Sequence, residues 1–294
     1  MMNSMKKPEL SIIILSFNTK DLLRDCLDSL EKVRDEISFE VIVADNGSID
    51  GSLEMVKAEF PWVIALNNKK NLGFAKGNNA AKKIAKGKYI LFLNSDTVVY
   101  KDVLKESVRF IKTDQKIGAM TCKLVLANGK IDKDIRRRFP TPWVSFSRLV
   151  LGSGRLYWYE DVSENKTHEV DAIQGAYHLS PKKVLDEANW FSEDYFLDGE
   201  DIDLCWKIRA KGFKIFYYPK VKILHLKGAS KGKNETKEKV PLSSRLKFRM
   251  ASVNSMEIFY KKHLWNRYIL PINLLVLTGI KFLKLVRFVR TVLQ

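Results

Sequence analysis

Residues 89–97, Tyr89-Ile90-Leu91-Phe92-Leu93-Asn94-Ser95-Asp96-Thr97, decide how the rest of the chain is read. Tyr89 to Leu93 form an unbroken apolar run, the composition of a strand covered on both faces. The run passes directly into Asn94, Ser95 and Asp96, polar groups delivered where a strand ends and a loop begins. In an open α/β sheet, ligands bind beyond the carboxyl ends of the strands. A carboxylate at that point either ligates a hard divalent cation or caps the next helix, and these nine residues alone do not choose.

Working outward, strand and helix patterns take turns. Leu10–Leu15, Glu40–Ala44 and Trp62–Leu66 read as strands, separated by helical patterns over Thr19–Val33, Ser52–Phe60 and Ala75–Ala85. A helix over Asp102–Ile111 then leads to a strand near Ile117–Leu126. Such alternation with short loops predicts an α/β fold built of βαβ units, with a mostly parallel central sheet and helices on both faces. Between about Asn128 and Glu169 the periodicity weakens, and Arg136, Arg137, Arg138, Pro140 and Pro142 mark an irregular segment. Order resumes near Val170, with a helix over Ile202–Lys211 and strands near Ile215–Tyr218 and Val221–His225. A Lys-rich linker from Lys227 to Lys239 and a helical tail from about Ser243 follow. The expected division is an α/β domain over 1–230, which the resemblance drawn below would make catalytic, and a basic linker with an amphipathic tail over 231–294.

The chain has 294 residues, 46% of them hydrophobic, enough for one large α/β domain with an appendage. It carries 51 Lys and Arg against 34 Asp and Glu, a net charge of +17. The excess is uneven: Lys227–Gln294 holds fifteen basic and three acidic residues. A basic tail on a nearly balanced body predicts an anionic surface as partner, either nucleic acid or membrane lipid. Its apolar stretch Ile269–Ile280 is interrupted by Pro271 and too short for the roughly 20 residues of a span. Beyond it, a helical wheel places Lys281, Lys284, Arg287 and Arg290 on one half, and Leu285, Val286, Phe288, Val289, Val292 and Leu293 on the other. That is the pattern of a helix lying in a membrane interface; a second subunit is the alternative occupant, so a homo-oligomer stays open. Cys26, Cys122 and Cys205 are too scattered for a disulfide framework or zinc pattern. With no signal-peptide pattern at the N-terminus, a cytoplasmic protein peripheral to the inner face of the cell membrane is expected.

The candidate site residues cluster at strand ends. Strand one ends in Ser16, Phe17 and Asn18, and strand two in Asp45. Phe17 offers a flat apolar face and Asp45 an acceptor for a ring N–H, which a nucleotide base requires. Asn71–Asn79 opens a helix with Gly73 and Gly77, which permit close backbone approach. No dinucleotide fingerprint and no P-loop occurs. An acidic run, Glu193–Leu204, packs Glu193, Asp194, Asp198, Glu200, Asp201 and Asp203 together. Helix-start acids benefit from the macrodipole, so one catalytic carboxylate among capping neighbours is expected. His225 closes the last apolar strand.

The set as a whole resembles the inverting family 2 glycosyltransferases of GT-A (Rossmann-like) fold, particularly their bacterial rhamnosyltransferase-like branch. The resemblance rests on S-I-I-I-L-S-F-N, E-V-I-V-A-D-N-G-S-I-D-G-S, N-L-G-F-A-K-G-N-N, Y-I-L-F-L-N-S-D-T, F-L-D-G-E-D-I-D-L-C-W-K-I-R-A-K-G and V-K-I-L-H, in order over roughly residues 10 to 230. It implies a donor-nucleotide site made by Ser16, Phe17, Asn18, Asp45, Gly73, Asn78, Asn94 and Ser95. It also implies that Asp96, with His225, binds Mg²⁺ or Mn²⁺ across the diphosphate, Asn94 standing where the metal motif has its first Asp. Asp201 matches the catalytic base, and Glu200 takes that role if the register is shifted by one. Ala172–His178 would lie near the acceptor. The implied partners are a UDP-, dTDP- or GDP-sugar donor, rhamnose among the candidate sugars, and a saccharide or lipid-linked saccharide acceptor. A nucleotidyltransferase would need a Gly-rich triphosphate loop that S-F-N-T-K does not provide. A nucleic-acid binder accounts for the charge but for neither the acidic run nor the motif order, so no nucleic-acid partner is expected.

Overall fold

The computed structural model describes residues 7–226 and 242–293; the Lys-rich linker lies outside the described residues. The first half follows the expected alternation: β1 (Leu10–Ser16), α1 (Lys20–Glu31), β2 (Phe39–Asp45), α2 (Ser52–Glu59), β3 (Ile64–Asn67), α3 (Phe74–Asn79) and β4 (Tyr89–Asn94). Then come β5 (Thr97–Val98), α4 (Val103–Ile111), β6 (Ile117–Leu126), β7 (Arg136–Arg137), α5 (Pro142–Leu149), β8 (His168–Glu169) and β9 (Ala172–Ile173). The chain continues through β10 (Tyr177–Pro181), α6 (Lys182–Glu187), α7 (Glu200–Ala210) and β11 (Lys214–His225) to the tail helices α8 (Leu242–Phe259) and α9 (Leu270–Val292).

The main sheet runs β3-β2-β1-β4-β10-β6-β11-β5, with β8 on β11. In β1 and β4 adjacent residues such as Ile12, Ile13 and Ile14, or Ile90, Leu91 and Phe92, are all fully buried. Neighbouring side chains on a strand point to opposite faces, so both faces are covered, which is why these strands are continuous apolar runs. β10 was not anticipated. It runs antiparallel between β4 and β6, and its polar His178 and Ser180 enter the core by bonding each other, Nε2 to Oγ at 2.9 Å. β1 to β4, β6 and β11 still share one direction. The two strands expected after α7 are one, β11, with an irregularity between Tyr218 and Lys222.

The irregular segment is pinned by the arginines that marked it. The Arg136 guanidinium donates to the Val162 and Ser163 carbonyls, and that of Arg138 forks onto Asp161 at 2.6 and 2.8 Å. α5 starts where Pro142 occupies the first turn and the Thr141 hydroxyl accepts the Val144 N–H.

The tail corrects two expectations. Pro271 does not interrupt a helix; it sits in the first turn of α9, where its missing N–H costs nothing, and Leu270–Val292 is one helix of 23 residues. The basic residues also do not share one free face. Asn273, Ile280 and Thr291 are buried, Lys284 pairs with Glu257 of α8 at 2.5 Å, and Arg287 bonds Ser252 and the Arg249 carbonyl. Lys281 and Arg290 stay exposed, as do Leu275, Phe282, Leu285, Val289 and Val292. No described helix is long and apolar enough to cross a membrane. Val253, Phe259, Tyr260, Leu264 and Ile280 belong to the same hydrophobic core as the sheet.

Candidate active site

Parallel register sets the site. Ser16 pairs with Asp45 and Leu15 with Asn94, so the loops after β1, β2 and β4 leave the sheet at one level. Asp45 Oδ2 accepts from the Gly47 and Ser48 N–H groups at 3.1 and 3.0 Å, an Asx turn. Its Oδ1 is buried and, among the described residues, accepts no hydrogen bond. Leaving such an acceptor unmet costs about 1–3 kcal/mol, a penalty that a base N–H would relieve. Phe17, 37% exposed, lies on the same edge.

Other predicted donor residues are engaged with the protein itself. Asn18, at φ 53°, accepts the Ile49 N–H and donates its own to the Ser48 hydroxyl, tying the two loops. Ser16, Thr19 and Ser95 form a buried chain of hydroxyls with 3.0 Å steps. The Asn94 N–H donates to the Ala176 carbonyl at 3.1 Å, bringing the turn before β10 to the site. Gly73, at φ +83°, approaches Phe196: a Cβ there would lie 2.4 Å from the Phe196 carbonyl oxygen. Asn78 is buried with its amide on the Phe74 carbonyl.

At the next strand ends Asp96 and His225 meet. β5 pairs with the end of β11, and His225 Nε2 stands 3.3 Å from Asp96 Oδ1. The other ring nitrogen, Nδ1, lies 3.0 Å from Asp132 Oδ2. Burial lowers the His225 pKa, but the bonds to Asp132 and Asp96 outweigh it and raise the value to about 9. Among the described residues, no cluster of three or more His, Cys, Asp or Glu is arranged to hold a metal. A cation beside Asp96 would have to be completed by substrate oxygens, the way Mg²⁺ binds through one or two carboxylates plus phosphates, and His225 could join it only on giving up its proton.

The acidic run is dispersed by its partners. Glu200, Asp201 and Asp203 open α7 and are all buried. Asp203 is bonded by Ser192 and His263 at 2.5 and 2.7 Å, welding α7 to the tail. Asp201 Oδ1 accepts the Ile202 N–H at 2.7 Å, and Oδ2 is held by Arg137 at 2.6 Å. Burial pushes the Glu200 carboxyl well above its ordinary range, and the charge of Asp201 adds to the shift. Glu200 Oε2 is buried without a hydrogen-bond partner among the described residues.

Sequence reasoning missed Asp132 and Arg137. Both lie in the aperiodic stretch, and only the fold brings them to His225 and Asp201. The local signal for Arg137 is the basic triplet Arg136–Arg138 itself. Of the segment placed near the acceptor, Tyr177 and His178 instead lie in the sheet core; only the turn at Gln174–Ala176 reaches Asn94. Trp190 and Phe191 are core residues.

Residues 11–160 match the description "Glycosyl transferase family 2", and residues 89–294 match "Glycosyl transferase family group 2". The uncharacterized glycosyltransferase YfnE of Bacillus subtilis (strain 168) is 37% identical over 207 residues, 67% of this chain and 46% of its own length. The poly(ribitol-phosphate) beta-glucosyltransferase of Bacillus spizizenii is 29% identical over 217 residues, 67% of this chain and 34% of its own. The chain thus spans less than half of either relative. Among solved structures, the mannosyltransferase PcManGT from Pyrobaculum calidifontis, in complex with GDP-Man and Mn²⁺, superposes with TM-score 0.57 at 18% identity. That match covers 98% of this chain and 85% of that one. S. aureus TarS 1-349 in complex with UDP-GlcNAc superposes with TM-score 0.55 at 20% identity, covering 84% and 66%. Both likenesses are of fold.

Proposed function

Because this chain belongs to glycosyl transferase family 2, we propose that it moves a sugar from a nucleoside-diphosphate donor to a lipid-linked or cell-surface polysaccharide acceptor, in one inverting displacement. The observation that carries this reading is the meeting of Asp96 and His225 at 3.3 Å, at the edge that also presents Asp45 and Phe17. Phe17 would cover one face of the base, and Asp45 Oδ1 would accept its ring N–H. Asp96 and His225 would hold a divalent cation with the donor diphosphate, and that cation supplies neutralisation of the leaving group's charge when bound. Asp201 would take the proton of the acceptor hydroxyl as the new bond forms. Arrival of the acceptor opposite the leaving group inverts the anomeric centre and needs no covalent intermediate. Two neighbours with bound nucleotide sugars, one with Mn²⁺, support the donor class. Rhamnose is the candidate sugar from the motif resemblance.

The exposed apolar side of α9, flanked by Lys281 and Arg290, fits an anionic membrane surface, where a lipid-linked acceptor would be found. The testing experiment is a screen of UDP-, dTDP- and GDP-sugars with Mn²⁺ or Mg²⁺, reading release of the nucleoside diphosphate. Metal-dependent release with one nucleotide series is expected. No release from any donor, with a lipid-linked acceptor present, rejects the reading.

A further inference from the structure

The base candidate does not stand alone. Asp201 opens α7, while Arg137 comes from β7, which pairs with β9 in a small ribbon of its own. Arg137 donates to Asp201 Oδ2 at 2.6 Å and to the Ile173 carbonyl at 3.2 Å. Both side chains are about nine-tenths buried or more. The neighbouring arginines do other work: Arg136 and Arg138 bond the 155–163 loop and lie over Tyr217 and Tyr159. Arg137 alone turns inward to the acidic helix.

A carboxylate that abstracts a proton must hold one oxygen toward the acceptor within hydrogen-bond reach. Free rotation of a short Asp side chain would spread that oxygen over several positions. Here rotation is blocked from two sides, by the Ile202 N–H on Oδ1 and by Arg137 on Oδ2. The planar guanidinium is fixed in turn by the β9 carbonyl, so the carboxylate plane is set by a strand outside its own helix. Arginine suits this task because its donors form a rigid fork that a lysine cannot reproduce. Its Nε is buried and without a hydrogen-bond partner among the described residues.

We propose that Arg137 is the positioning residue for Asp201, fixing the orientation of the carboxylate that receives the acceptor proton. This rests on the reading of Asp201 as the base. A misplacement of about 1 Å costs on the order of a hundredfold in rate, so geometry rather than binding should register the loss.

The test compares Arg137→Lys, Arg137→Gln, Arg138→Lys and Asp201→Asn in the full chain, under the best donor, metal and acceptor from the screen. Arg137→Lys keeps the charge and is the variant expected to fold; Arg137→Gln is read only if its melting curve remains cooperative. For Arg137→Lys, kcat is expected to fall about tenfold to a hundredfold, with donor KM and nucleoside-diphosphate affinity within about twofold of the parent. Arg138→Lys, which disturbs the same segment without touching Asp201, should keep its kcat. In the Asp201→Asn background, adding Arg137→Lys should lower turnover no further, because the two residues act as one unit. An unchanged kcat in Arg137→Lys, an equal loss in Arg138→Lys, or full additivity with Asp201→Asn overturns the assignment. Full turnover in Asp201→Asn itself removes the base reading instead, and so separates the two failures.

Discussion

Asp96 and Asp201 are both buried carboxylates, and each touches a cationic side chain, but the partners differ in kind. His225 can release its proton and is backed by a second carboxylate, Asp132. Arg137 cannot be deprotonated and also donates to a peptide carbonyl. An acid beside a histidine can exchange that partner for a metal that arrives with the donor. An acid beside an arginine keeps its partner throughout. Under the proposed function the contrast would match one site to a transient cation and the other to a fixed geometry, and it is open to attack at either end.

The sharpest attack is Asp201→Asn. General bases contribute about 10²–10⁴-fold, so nucleoside-diphosphate release at saturating donor should fall by that range while donor affinity, followed by calorimetry, holds. Asp96→Asn should do the reverse, weakening metal-dependent donor binding first. If both variants lose donor binding alike, the contrast collapses.

A second buried histidine sharpens it differently. His178, fully buried in β10, has its pKa lowered by burial to about 3, in contrast to the raised value of His225. Its neutral form is the native one, while the unfolded chain takes up a proton near 6.5. The sign follows: His178 contributes stability that is complete above pH 6.5 and is lost as the pH falls toward 3. Thermal melts from pH 7 down to 4 should show a decline worth a few kcal/mol, and His178→Gln should flatten it. An equally steep decline in that variant would assign the effect to the carboxylates.

What could be read from sequence follows the same divide. Residues that act through one strand end, such as Asp45 and Asp96, are visible because an apolar run announces the strand and its carboxyl end fixes the location. Residues that act through a partner are not. Asp132 lies 93 positions from His225, and Arg137 lies 64 from Asp201. Nothing periodic marks the stretch that carries them. β10 was illegible for a related reason: in Tyr177-His178-Leu179-Ser180-Pro181 the polar His178 and Ser180 interrupt the apolar run, and only in the fold do they bond each other. In the tail, composition gave the amphipathic character of α9 but not which lysines the packing on α8 would consume.

The histidine end of the contrast is tested by Asp132→Asn. A carboxylate behind a metal-bound histidine fixes the ring and raises its basicity, and its loss costs about 10–100-fold in metal affinity. Titration of Mn²⁺ into the protein with nucleoside diphosphate, followed by calorimetry, should show that loss, with unaltered nucleotide affinity in the absence of metal. Unchanged Mn²⁺ affinity would make Asp132 a packing partner and leave the two carboxylate pairs alike.

The smallest effects fall on α9, where the same distinction between committed and available cations recurs on one helix. Lys284 is paired with Glu257, whose pKa is lowered to about 2 chiefly by its bonds to Lys261 and Lys284. Lys281 and Arg290 are exposed beside an apolar side. A basic residue near an anionic surface contributes about 1 kcal/mol, roughly fivefold in affinity. Lys281→Gln and Arg290→Gln should each weaken flotation with phosphatidylglycerol-containing vesicles by about that factor, less so at high salt. Lys284→Gln should leave vesicle binding alone and lower the melting temperature, since an exposed-side pair is worth only about 0.2–1 kcal/mol and the lost contact is internal. Equal vesicle losses in all three variants would mean that α9 leaves α8 to meet the membrane, and that a cation engaged in the free protein is no guide to its role at the surface.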